Sequence, residues 1–181
     1  VDGAVATSTA GYGTAIVERY EKIANRTLFS GGSNRNIAIK STIDFYVSAE
    51  NAGLWEFRAG VDFGHGGAIF VDGTAYDFKT NNMWWRGNYN NSSQYLSINS
   101  LNLTAGYHTL NIYGLEGCCD GYQQAQFSFG NGNFKTFSNS DGLTFVSEPA
   151  SFVSEPASFS MFLTGYGLIW LMVRRRKESI V

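Results

Sequence analysis

Between residues 37 and 137 apolar residues recur at every second position in short runs, and glycine and asparagine separate the runs. The runs are 37–47 (IAIKSTIDFYV), 53–59 (GLWEFRA), 68–71 (AIFV), 94–98 (QYLSI), 107–113 (YHTLNIY) and 125–129 (AQFSF). A period of two turns one face to a core and the other to water, so each run is predicted as a strand with one buried side. The spacing of the turn signals favours an antiparallel sandwich or barrel over a parallel fold. No helical period of useful length appears before the carboxyl-terminal tail.

Composition narrows this picture. At 181 residues the chain has room for one ordinary domain and a tail. It is 15% aromatic and 15% charged with 21 glycines, which suits strands and turns better than helices. The net charge is -2 and most basic residues are scattered, whereas a nucleic-acid surface needs Lys and Arg clustered on one face. Nucleic acid is not an expected partner. The sequence opens on Val1 without a basic segment leading into an apolar run, so an export signal is expected to have been removed ahead of it.

The tail changes the class of protein. Residues 157–173 (ASFSMFLTGYGLIWLMV) carry no charge and stop at Arg174, Arg175, Arg176 and Lys177. The segment is slightly shorter than the ~20 residues a helix needs to cross a bilayer, a mismatch that tilt and local thinning absorb. It is predicted as a single transmembrane helix with the basic cluster on the cytoplasmic side and the long amino-terminal part outside. A buried core helix with a basic cap is the competing reading, and the lack of any polar face counts against it. Ahead of this span the letters FVSEPAS at 145–151 recur unchanged at 152–158.

Ser154, Glu155, Pro156 and Ala157, followed by the apolar segment and Arg174, Arg175 and Arg176, resemble the PEP-CTERM sorting signal of Gram-negative bacteria. Ser154 stands where that family has its first proline. The resemblance implies recognition by an exosortase, a membrane-embedded cysteine transpeptidase, and a place in the cell envelope, the periplasm or an exopolysaccharide and biofilm matrix. The tail would then be a substrate without chemistry of its own.

A second resemblance lies in the strands. Gly53-Leu54-Trp55-Glu56-Phe57, then Asp62 and Gly64, then Ile69-Phe70-Val71-Asp72-Gly73, and later residues 103–110 (LTAGYHTL) look like the PA14 family of β-sandwich modules over about residues 40–130. The family occurs in adhesins, toxins and glycosidases, and its lectins commonly hold sugar through a calcium on two adjacent aspartates. Here Val61 precedes Asp62 where the second aspartate would be. Residues 114–121 (GLEGCCDG) resemble a small group of PEP-CTERM proteins marked by a Cys-Cys-x-Gly motif.

Several residues are candidates for a site. Cys118 and Cys119 are the two cysteines, and an oxidising compartment makes a bond between them an expectation, although a trans peptide sets neighbouring Cα atoms only ~3.8 Å apart. Such a ring would either fix a turn or offer a flat apolar plate to a sugar; the two-residue spacing of a dithiol oxidoreductase is absent. Asp62, Asp72, Asp77, Glu116 and Asp120 are oxygen ligands on loops, with Asp62 and Asp120 the tentative calcium pair, yet Asp-Gly is also plain turn chemistry. His65 and His108 are not at metal-ligand spacing, and neither a nucleophile elbow nor a phosphate-binding glycine loop is present. Trp84, Trp85, Arg86, Tyr89 and Tyr95 lie in or beside an asparagine-rich loop, a composition that suits carbohydrate, while one of two adjacent tryptophans is also expected to pack inward.

These readings combine into an organisation. An amino-terminal strand or extension occupies 1–36, a PA14-like all-β sandwich 37–140, a linker 141–156, the transmembrane segment 157–173 and a basic cytoplasmic tail 174–181. The expected function is that of an exported, non-enzymatic envelope or matrix protein that binds glycan through Asp62, Trp84, Trp85, Tyr89 and Asp120, with calcium as the one cofactor under consideration. A purely structural envelope protein without a ligand is the alternative. A glycan-processing enzyme would need two carboxylates facing each other across a cleft.

Overall fold

The computed structural model describes residues 13–143. The sorting motif, the expected transmembrane helix and the basic tail lie outside the described residues, among which no helix is long and apolar enough to cross a membrane.

Eleven strands form among the described residues: β1 (Glu21–Ile23), β2 (Arg35–Val47), β3 (Gly53–Gly60), β4 (Asp62–Phe63), β5 (Gly67–Val71), β6 (Thr74–Lys79), β7 (Met83–Trp84), β8 (Tyr95–Leu103), β9 (Gly106–Cys118), β10 (Gln123–Phe129) and β11 (Lys135–Thr136). One sheet runs β1-β10-β3-β8 with β11 also on β10, the second runs β2-β9-β5-β6, and β4 pairs with β7 as a separate ribbon. Every strand pairing is antiparallel.

The alternation along β3 explains the layering. Trp55, Phe57 and Ala59 are buried between the sheets, while Leu54, Glu56 and Arg58 face outward. From the facing sheet Phe45 of β2 meets Trp55 at 5.7 Å and Phe57 at 5.6 Å between ring centroids, and Ile69, Leu110 and Ile112 complete that side. The indole of Trp55 is not left unpaired, because its Nε1 donates to the carbonyl of Asn51 at 2.8 Å. Burying aromatic rings of this size supplies the largest single contributions a core of this kind can have.

Two local choices fix the register around the future site. Asp72 and Gly73 take φ of 50° and 78°, a left-handed pair that closes β5 onto β6 with Val71 opposite Thr74. Asp72 then accepts from the amide of Thr109 at 2.9 Å and bonds the ring of His108 at 2.7 Å, so both residues are spent on holding the turn to β9. Asp77 accepts from the amide of Ser97 at 3.0 Å, tying β6 of one sheet to β8 of the other. A space remains beside β2. A cavity of about 820 Å³ runs there under Ile37, Ile39, Ile43 and Phe45.

Candidate functional site: one end of the sandwich

The site is built from a pair of glycines upward. Gly67 and Gly114 are register partners on β5 and β9, and the ring of Phe63 lies on both; a Cβ on Gly114 would come within 2.1 Å of that ring. Only a bare backbone permits this approach. Phe63 is fully buried, and it plants the two-residue strand β4 across the end of the second sheet.

With β4 fixed, β7 pairs onto it with Phe63 opposite Met83 and Asp62 opposite Trp84. Met83 turns inward and is fully buried, so Trp84 must turn outward, where it is 56% exposed. The guanidinium of Arg86 sits 4.2 Å from the centre of its ring, and its amide donates to the side-chain oxygen of Gln94. Trp85 turns back toward the outer face of the first sheet. There it covers Gly60, where a Cβ would fall 2.2 Å from the indole, and its Nε1 is buried without a hydrogen-bond partner.

Tyr89 lies beneath the loop and not on its surface. Its hydroxyl donates to the carbonyl of Gln124 at 3.3 Å and accepts from the amide of Gly60 at 3.4 Å, and burial raises its pKa well above the usual phenol range. Its ring stacks against the guanidinium of Arg58 at 3.9 Å, which rests on Phe134 at 3.8 Å on the other side. Tyr95 meets Tyr89 edge-on at 5.1 Å. Of the aromatic candidates, Trp84 faces solvent, while Trp85 and Tyr89 support the loop that carries it.

The third component is the loop after β9. The carboxylate of Glu116 accepts from the amides of Gly64, at 2.7 Å, and of Cys118. Asp62 accepts from the amide of Gly121 at 2.6 Å, and Asp120 from the amide of Arg26 at 3.2 Å. Each carboxylate thus ties one segment to another. Burial, with the neighbouring acidic groups adding to it, raises the pKa of Asp62 and of Asp120 above the ordinary aspartate value. Cys118 and Cys119 are bonded to each other, with sulfur atoms 2.11 Å apart, and both residues are exposed. His65 stands beside Gly117.

Asp62, His65, Trp84, Glu116, the cysteine pair and Asp120 therefore share one end of the sandwich. Asp72 and His108 do not join them; they lie at the Asp-Gly turn, a strand's length along β5. The calcium expectation at Asp62 and Asp120 meets a poor fit. Calcium takes six to eight oxygen ligands, but both oxygens of Glu116 and one each of Asp62 and Asp120 already receive backbone amides, and Oδ1 of Asp120 is buried without a hydrogen-bond partner. Among the described residues no group of three or more His, Cys, Asp or Glu is arranged to hold a metal ion. The cavity along β2 was not foreseen from the sequence, because a space between packed elements is a property of tertiary arrangement and not of composition.

No family model matches this chain, and no curated protein matches it. Among solved structures, a PA14 sugar-binding domain from an RTX adhesin superposes on it with a TM-score of 0.51 at 14% identity, over 68% of this chain and 74% of that one. The sandwich is PA14-like in fold. At such low identity the likeness extends to architecture alone.

Proposed function

We propose that this protein is an exported, non-catalytic module that binds glycan at the end of the PA14-like sandwich carrying Trp84, and that an exosortase sorts it to the cell envelope or an exopolysaccharide matrix through its tail. The observation that carries the glycan reading is Trp84 itself. The pairing of β4 with β7 leaves a large indole exposed on an asparagine-rich loop whose other aromatics are packed beneath it. An exposed flat ring takes the apolar face of a sugar, and the surrounding side-chain amides suit its hydroxyls. The structural neighbour described as sugar-binding is consistent with this use of the fold.

The non-catalytic part rests on the acids. Glycoside hydrolysis needs two carboxyl groups facing a cleft roughly 5 to 9.5 Å apart, whereas Asp62, Glu116 and Asp120 are buried and engaged with backbone amides. The sorting part rests on Ser154 to Ala157 and on Arg174 to Arg176, which are read from sequence.

The test uses the full chain in a sugar-free polyoxyethylene detergent on a printed array carrying glucose, galactose, mannose, rhamnose and glucuronate as single residues and as linear oligomers. Wild type should bind a subset of the oligomers, and Trp84→Ala should lower that binding by roughly tenfold or more, the scale of one lost stacking contact. Equal binding by wild type and Trp84→Ala would remove Trp84 from the site, and no binding by wild type would leave the structural alternative.

A further inference from the structure

The cysteine ring has no evident structural task. A disulfide stabilises mainly by closing a loop of chain in the unfolded state, and a bond between neighbours closes almost none. The turn it occupies is already held from outside the ring. The amide of Cys118 donates to Glu116, that of Cys119 to the carbonyl of Asn34 at 2.6 Å, that of Gly121 to Asp62 at 2.6 Å, and buried Asp120 receives the amide of Arg26 at 3.2 Å. Cys119 takes a φ of 84°, so the chain turns there and both cysteines stay exposed on the outside of an anchored loop.

What the ring offers is a surface. Two bonded sulfur atoms with their Cβ carbons are apolar and polarisable and have no hydrogen-bonding demand of their own. Leu115 just before the loop and Tyr122 just after it are 46% and 45% exposed, so apolar side chains flank the ring along the chain, where Glu116 and Asp120 are turned inward and Arg35 is the register partner of Cys118. One residue links the loop to the tryptophan. Asp62 holds Gly121 through its side chain and is the register partner of Trp84 through its backbone.

We propose that the Cys118–Cys119 disulfide is a second stacking plate, which receives the apolar face of one sugar of an oligosaccharide while Trp84 receives another. This rests on the glycan reading of the same end of the sandwich and adds the class of ligand, a linear oligomer and not a single sugar. Two plates on one rigid frame make the second contact intramolecular, so affinity should rise with the length of the oligomer. Opening the ring replaces the plate by two thiols that rotate apart, and length dependence should go with it.

The same printed array decides the matter with three samples: wild type, the double variant Cys118→Ala with Cys119→Ala, and wild type reduced with a water-soluble phosphine. In the last, the phosphine supplies two electrons and becomes its oxide with water's oxygen, while the S–S bond becomes two thiols. The expected result is that the double variant and the reduced protein lose roughly tenfold on the oligomers that wild type binds and no longer favour longer ones, with melting temperatures close to that of wild type. Oligomer binding unchanged in both samples overturns the plate and leaves glycan binding standing. A large fall in melting temperature on mild reduction also overturns it, because the ring would then be structural. If wild type binds neither class, the plate falls together with the glycan reading.

Discussion

At the scale of single residues, the division of labour between Trp84 and Trp85 is the point on which the site turns. Sequence placed both in an aromatic, asparagine-rich loop and expected one to pack inward, but which one depends on the pairing of β7 with β4, and a two-residue strand leaves no period to read. Gly60 carries the other half of the answer. Gly60→Ala would drive a Cβ into the indole of Trp85 and should free the 84–91 loop, seen as increased tryptophan quenching by acrylamide with a core that still melts cooperatively; unchanged quenching would mean Trp85 does not rest there. Asp120 makes a prediction about pH. Its carboxyl is raised above the usual aspartate value near ~3.9 by burial, so the native state retains a proton that the unfolded chain has released. Stability from this group is therefore full at low pH and declines as pH rises through the folded pKa. Asp120→Asn keeps an acceptor for the amide of Arg26 and has no proton to lose, so its melting temperature should fall less than that of wild type as pH is raised from about 4. Parallel profiles would show that Asp120 is not the titrating group. The cysteine bond is checked by mass: the unreduced peptide spanning Cys118 and Cys119 should lack two hydrogens, and thiols that alkylate without reduction would contradict the ring.

Among the elements, the long strands were legible and the short ones were not. The runs at 37–47, 53–59, 68–71, 107–113 and 125–129 fall within β2, β3, β5, β9 and β10, because each has a core face that writes a period of two into the sequence. The run at 94–98 overlaps β8 but stops short of Leu103, since Asn99 and Ser100 mask the outer half of that strand. β6 left no signature because its residues are largely exposed on both faces at a sheet edge, and β1, β4, β7 and β11 are too short for one. Their positions follow from tertiary contacts such as Phe63 on Gly114. Gly114→Ala should accordingly destabilise the domain by about 1 to 3 kcal/mol through overpacking against a fully buried ring, and should weaken glycan binding as β4 shifts. Trp55→Ala in the centre of the core should cost more, about 3 to 5 kcal/mol, with no special effect on the loops. If the two variants reverse this order in chemical denaturation, the account of how β4 is seated is wrong.

For the whole molecule, the all-β sandwich was legible in motifs whose spacing reflects strands and turns, and the likeness of its fold to a PA14 sugar-binding domain stands at 14% identity. That Asp62, Trp84, Trp85, Tyr89 and Asp120 were candidates for one site was legible in residue type and loop composition, whereas the details that hold the loops together, carboxylates bonded to backbone amides, depend on atoms no periodicity encodes. The tail is a separate matter that cell fractionation can address. Replacing Pro149 together with Pro156 should leave unprocessed precursor, because the repeated FVSEPAS supplies a spare copy if either proline is changed alone; normal processing of the double variant would count against an exosortase. The central claim is that one end of the sandwich binds glycan, and hydroxyl-radical footprinting of the full chain with and without a bound oligosaccharide from the array tests it most directly. Protection should fall on Trp84, Tyr122 and the Cys118–Cys119 loop, while exposed Phe78 on β6 stays as reactive as in the free protein. Protection of Phe78 or of residues along the β2 cavity, with Trp84 still reactive, would place the sugar elsewhere and contradict the account.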